Sequence, residues 1–480
     1  MVPLRTAIVL VLGAAVLPAS AQPRAPHEQL LHDVYKELIE FNTSNMTSGT
    51  TAAAEAMAKR FRDAGFPDAD IFLGGVRADK HNLVVRYRGK GGPSAPKPLL
   101  LLAHIDVVEA LKSDWSPDLD PFKFLERDGY YYGRGTSDDK AMAAIFVANL
   151  IRFKREGWVP DRDVILALTA DEEGGCCNGV RWLIQNQREL VDAYLVVNEG
   201  GGGSLRNDKP FLNSIQATQK NVVNFRVTAK NRGGHSSVPR PDNAIYQLAE
   251  GITRFSKFSF PVHFNAVTRA FFEKTADIET PEVGRAMKAL LRNENDAAAA
   301  AIVSRDPRYN SMLRSTCVAT MLSGGHASNA LPQTAEVGIN CRILPDADPA
   351  EIRAAIAKVF ADTALEVSGG GRGGQGGRGG QRTVVEPSSI GPEILGPVEQ
   401  VTRELFGNIP VIPTMSTGAT DSQPFRSIGI PAYGVSGLMG DPEDIRSHGR
   451  DERMRVKSLY DGQEFLYRLT RLLAAGKTAM

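Results

Sequence analysis

Three apolar runs in this sequence end in groups that can bind metal. Residues 98–103 lead into His104-Ile105-Asp106, residues 164–170 into Asp171-Glu172-Glu173, and residues 193–198 into Glu199. A Gly-rich turn at residues 133–140 presents Asp138 and Asp139 at the start of a helical stretch, and a polar loop far downstream, IRSHGRDER, offers His448. Imidazole mixed with carboxylate and no thiolate suits Zn(II), with Co(II) or Mn(II) as substitutes. Two His and three or more carboxylates exceed what one catalytic zinc requires. They suit two metals about 3.5 to 4 Å apart with a bridging carboxylate, a pair that activates water and polarises a carbonyl. Along a strand, Asp106 projects to the same side as His104 and can fix its imidazole in one tautomer. A carboxylate beside the ligands but not among them becomes the candidate general base. On spacing alone, either Asp138 or Asp139 can be the bridge.

The elements that carry these groups alternate. Two helices are predicted before residue 65, and short apolar strands then alternate with helices such as KAMAAIFVANLIRFKREG and GVRWLIQNQRELV, which argues for a mostly parallel α/β sheet flanked by helices. Open sheets of this kind bind ligands at the carboxyl ends of their strands, where the polar groups here fall. From about residue 211 the pattern changes to alternating strands (SIQATQKNVVNFRVTAKN, STCVATMLSGG, EVGINCRIL) with helices at 243–255 and within DPAEIRAAIAKVFAD. That pattern predicts a smaller α+β, ferredoxin-like unit that interrupts the first. The expected division is catalytic α/β at 22–212 and 386–480, a lid and dimerisation unit at 213–368, and a linker at 369–385 whose residues 369–380 include nine Gly. The stretch 264–314 is longer than a minimal lid needs, and either covers the active site or extends its pocket.

Residues 1–21 read as a secretory signal peptide: Arg5, an apolar stretch at 7–17, then Ala19-Ser20-Ala21, with cleavage expected after Ala21 and a periplasmic or secreted product. No later run is apolar enough to span a bilayer, so no membrane association is expected after cleavage. The 56 Lys and Arg against 55 Asp and Glu give a net charge of +1, which supplies no field for nucleic-acid binding. The 4 Cys fit no zinc-finger spacing; Cys317 and Cys341 could pair in an oxidising compartment, but sequence cannot establish it.

In order and spacing, His104-x-Asp106, the GRGxxDxK turn, Asp171-Glu172-Glu173-Gly174, Glu199 and His448 resemble the di-zinc exopeptidase and amidohydrolase family. That family includes aminoacylase, glutamate carboxypeptidase, carnosinase-type dipeptidases and succinyl-diaminopimelate desuccinylase. The likeness runs over nearly the whole mature chain. It implies one zinc on His104, Asp138 and Glu199 and a second on Asp138, Glu173 and His448, with Asp138 bridging, Glu172 as general base and Asp106 behind His104. It also implies that His235, in Gly234-His235-Ser236, donates to the developing oxyanion, in dimers from the partner subunit. Asn329 and Arg342 match the residues that hold the substrate carboxylate, and Thr420 matches a loop near the substrate, with some change of letters.

The expected function is hydrolysis of an amide next to a free carboxylate, in a peptide, a dipeptide or an N-acyl amino acid, by a homodimer. Two other readings compete: a non-catalytic amino-acid- or metal-binding protein on the same scaffold, which would be expected to lose the base or a ligand, and a phosphoesterase, which would want a more cationic pocket.

Overall fold

Strands that read as unbroken apolar runs must be covered on both faces. In the computed structural model, which describes residues 23–91, 95–174, 176–372 and 385–475, they are. Val164–Thr169, Leu99–His104, Leu195–Asn198 and Ala432–Gly434 lie side by side and parallel at the centre of a 10-stranded sheet. Along one strand, Leu99, Leu101 and Ala103 enter the core on one face while Leu100 and Leu102 enter the core on the other. The first face is covered by helices Pro26–Glu40, Thr51–Asp63, Lys140–Glu156, Pro392–Phe406 and Val456–Leu473, and the second by Gly179–Asn186 and Ser422–Arg426. Lys140–Glu156 is buried almost all round and stops at Gly157, whose φ of 69° is the left-handed conformation that ends helices.

A second sheet is antiparallel, in the order Thr316–Gly324, Thr334–Ile343, Asn221–Lys230, Leu365–Arg372. Helices Ala244–Phe255 and Pro349–Phe360 pack on it around Val227, Leu248, Val337 and Ile356. In chain order this is strand, helix, strand, strand, helix, strand, the ferredoxin-like arrangement. Asn243 and Asp348 cap the two helices by accepting the backbone N–H of Ile245 and Ala350.

Two sequence expectations shift. SIQATQKNVVNFRVTAKN, read as one strand, is two: Lys209–Gln219 belongs to the large sheet and Asn221–Lys230 to the small one, so the chain crosses at Lys220 and not at 213. Residues 369–372, assigned to the linker by composition, extend the last strand of the small sheet, pairing Gly369 with Phe225; 373–384 lie outside the described residues, as does the expected signal peptide. Residues 264–314 form helices Ala266–Thr275, Pro281–Arg292, Ala297–Val303 and Pro307–Leu313, whose core takes in Leu344 and, from the large sheet, Met415. No described helix is long and apolar enough to cross a membrane. Both cysteine pairs are bonded: Cys317 to Cys341 across neighbouring strands, and Cys176 to Cys177 in the loop after Glu173.

Candidate metal centre

Parallel strands share one carboxyl rim, and the candidate ligands meet there. His104 closes its strand in register with Thr169 of the neighbouring strand, two residues before Asp171, and Glu199 follows the strand on the other side. The turn at 133–140 brings Asp138 to the rim, with a cis peptide bond between Asp138 and Asp139. His448 arrives from the C-terminal segment on a left-handed backbone, φ 62°.

One carboxylate faces both imidazoles. Asp138 Oδ1 lies 3.0 Å from His104 Nε2, and Asp138 Oδ2 lies 3.1 Å from His448 Nε2. Of the two neighbours, Asp138 is the one that faces both imidazoles, while Asp139 is buried beside it. His448 Nε2 is also 2.7 Å from Glu173 Oε1, and Glu199 Oε2 lies 4.0 Å from His104 Nε2. Ligand atoms of His104, Asp138 and Glu173 fall within 4.8 Å of one another, as do those of His104, Glu172 and Glu199.

Asp106 acts differently from expectation. The His104 Nδ1 hydrogen-bonds the backbone carbonyl of Asp106 at 3.0 Å, whereas the Asp106 carboxylate is 3.7 Å away. That carboxylate instead accepts the backbone N–H groups of Glu172 (3.2 Å) and Glu173 (3.1 Å). It therefore fixes the loop that carries the base candidate and a ligand candidate.

Asp106, Asp138, Asp139, Glu172, Glu173, Glu199 and Asp421 crowd around two imidazoles. Burial, added to by the Glu199 charge, pushes the Glu172 carboxyl well above the usual range, and burial does the same to Glu199 and Asp139. Burial raises Asp106 to about 6, with the His104 charge opposing. Asp138 moves the other way, because hydrogen bonds from both imidazoles outweigh its burial. For His104, burial lowers the pKa, but the Asp138 hydrogen bond and the Glu199 and Asp106 charges leave it well above its ordinary value. His448 is raised to about 10 by its hydrogen bonds to Asp138 and Glu173. Buried like charges need a cation to offset them, and Asp139 Oδ2 is buried with no hydrogen-bond partner. The donor set fits a pair of divalent metal ions.

The remaining candidates lie elsewhere. His235 is exposed on the short strand Gly234–His235, paired with Ala330–Leu331, and the carbonyl of neighbouring Asn329 accepts the Ser236 N–H at 3.0 Å. Arg342 is on the small sheet opposite Thr316 and Val222. Among the described residues, none of His235, Asn329 and Arg342 bonds to the cluster of imidazoles and carboxylates. Thr420 hydrogen-bonds Gln219 (2.7 Å) and precedes Asp421, which accepts from Thr169 (3.2 Å) and Asn178 (2.7 Å) within the acidic cluster. Sequence reasoning missed Asp421, whose only signal is its place in the loop already singled out for Thr420. It also missed Glu452, buried under the turn of Asp138, which in sequence is one charge among many in IRSHGRDER.

A model of peptidase family M20/M25/M40 matches residues 100–472. The chain is 27% identical over 406 residues to N-fatty-acyl-amino acid synthase/hydrolase PM20D1 of Homo sapiens, covering 81% of this chain and 78% of that protein. Its fold resembles that of the M20 family metallo-carboxypeptidase Sso-CP2 from Sulfolobus solfataricus, with TM-score 0.66 and 18% identity over 93% of this chain and 99% of that one. It also resembles the Bacillus subtilis YXEP protein, described as a dinuclear metal binding peptidase, with TM-score 0.57 and 12% identity over 93% and 98% of the two chains.

Proposed function

The chain belongs to peptidase family M20/M25/M40, a family of metal-dependent hydrolases, and from that premise we propose that it is an exported enzyme that cleaves an amide bond next to a free carboxylate, using two zinc ions that share Asp138. The observation that carries this reading is the pair of imidazoles on the two oxygens of Asp138. His104 and Glu199 would complete one site, and Glu173 and His448 the other. Cobalt(II) or manganese(II) would substitute. When bound, the metal pair acidifies a water molecule and polarises the substrate carbonyl.

Glu172 sits beside the ligands with its backbone held by Asp106. Its carboxylate takes the proton from the attacking water and passes it to the leaving nitrogen. His235 Nδ1 accepts from the Ser237 N–H at 3.2 Å, so a neutral ring carries its proton on Nε2 and can donate to the oxyanion. Asn329 and Arg342 would hold the substrate carboxylate, and Thr420 would line the same pocket.

His235 and Asn329 are carried on the smaller unit, which we take as a lid and dimerisation module, and the dimer as the means by which His235 reaches an active site. Its outer strand leaves Val318, Met321 and Leu322 exposed at 57%, 75% and 71%, an apolar edge suited to a second copy. Export rests on Arg5, the apolar residues 7–17 and Ala19-Ser20-Ala21, with cleavage after Ala21.

The test is metal content per protomer together with turnover of dipeptides, C-terminally free peptides and N-acyl amino acids by wild type and Glu172→Ala. Two zinc ions in both proteins and turnover in wild type alone is the expected result. A protein that binds no metal even when zinc is added overturns the proposal.

A further inference from the structure

The two halves of the metal centre are held in different ways. His104 and Glu199 extend from adjacent buried strands, so the sheet fixes them. Asp138 sits on a turn, and His448 on a loop with its side chain 52% exposed, so side-chain packing cannot place it.

One buried carboxylate spans that gap. Glu452 is 0% exposed and lies four residues beyond His448. Its Oε1 accepts the Ser137 N–H and hydroxyl, both at 2.8 Å, and the Asp138 N–H at 3.3 Å. Its Oε2 accepts the Gly135 N–H at 3.0 Å and pairs with Arg134 Nη1 at 2.7 Å. The turn is thus wrapped round the carboxylate, with the Gly135, Ser137 and Asp138 N–H groups aimed at it. Arg134 closes the brace from the other side, since its Nη2 donates to the carbonyls of Gly449 (3.1 Å) and, at greater length, His448 (3.4 Å). Trp115 stacks on the Arg134 guanidinium, its ring 5.5 Å away, which holds that side chain in place.

We propose that Glu452, acting with Arg134, is a positioning residue that sets His448 against Asp138 and so holds the second metal site, which depends on it more than the first does. This rests on the reading of Asp138, Glu173 and His448 as metal ligands. Without the Glu452 charge the turn loses its central acceptor and Arg134 is left buried and unpaired, so Asp138 and His448 lose their common anchor. The first site feels the change only through the shared Asp138 and keeps its two strand-borne ligands, His104 and Glu199. Groups behind metal ligands typically change metal affinity by about 10- to 100-fold.

Cobalt(II) is titrated into metal-free wild type and Glu452→Gln, followed by calorimetry and by the absorption of the bound ion. Wild type should bind two ions; Glu452→Gln should bind the first with affinity within about threefold of wild type and the second at least about tenfold more weakly. Activity of Glu452→Gln should recover as cobalt is raised, through kcat rather than KM. If the variant does not fold, Ser137→Ala, which removes one donor, should weaken the second ion more than the first, by a smaller factor. Equal weakening of both ions, or an unchanged second affinity in a folded variant, overturns the proposal. A wild type that takes up fewer than two ions instead overturns the ligand reading beneath it.

Discussion

His448 Nε2 lies 2.7 Å from Glu173 Oε1, although the histidine side chain is half exposed and the glutamate side chain nearly buried. The pair joins a loop of the C-terminal segment to a strand end of the first half of the chain. Removing its exposed member should affect one metal only. His448→Ala is expected to keep one zinc per protomer, lose the other and fall in kcat by about 10²-fold or more, as read by elemental analysis beside steady-state kinetics. Retention of two tightly bound ions would exclude His448 as a ligand.

Glu172→Gln keeps the shape of the side chain and removes its basicity. Both metals should stay bound and kcat should drop by about 10² to 10⁴-fold with little change in KM. An equal loss of metal in this variant would mean that Glu172 is a ligand and not the base.

The His448 shift gives a pH dependence with a definite sign. Its pKa is raised to about 10 in the metal-free protein, so the folded state binds the proton more tightly than the unfolded one. The stability it contributes is complete below its ordinary value of 6.5 and is lost as pH rises toward about 10. Metal must displace that same proton, so apparent metal affinity should gain about tenfold per pH unit below this value from His448 alone. Titration of wild type and His448→Ala between pH 6 and 9 should show a shallower slope in the variant.

His235 can be tested for action across a dimer. His235→Ala and Glu172→Ala should each be nearly inactive with metal retained. If His235 serves the partner's site, mixing and reassociating the two should restore up to about a quarter of wild-type activity, because half the dimers are mixed and each has one complete site. No recovery from a mixture shown to exchange subunits would place His235 within its own chain's site.

The bond between Cys317 and Cys341 closes a separation of 24 residues between neighbouring strands of the small sheet. Replacing both with Ala should lower the stability of that sheet by about 3 kcal/mol and leave the metal count unchanged. Calorimetry and metal analysis on one preparation would decide it, and a loss of metal would tie the small sheet to the site more closely than the structure implies.

The positions of His104, Glu172, Glu173 and Glu199 were legible in the sequence for a physical reason. A parallel strand buried on both faces must be apolar throughout, so a polar group at its end marks the one rim where ligands can sit. The motif order then assigned the family, and the strand, helix and turn pattern gave both sheets. What tertiary structure decided were matters of charge between segments far apart in the chain. It showed which of Asp138 and Asp139 faces the imidazoles, that the Asp106 carboxylate serves the Glu172 loop, and that Glu452 anchors a turn around Arg134, 318 residues away in sequence. It also divided one alternating stretch at Lys220 between two sheets. Periodicity reports burial along a single element. It carries no information on which distant carboxylate will offset a buried cation, because that depends on how loops close once the sheets have packed.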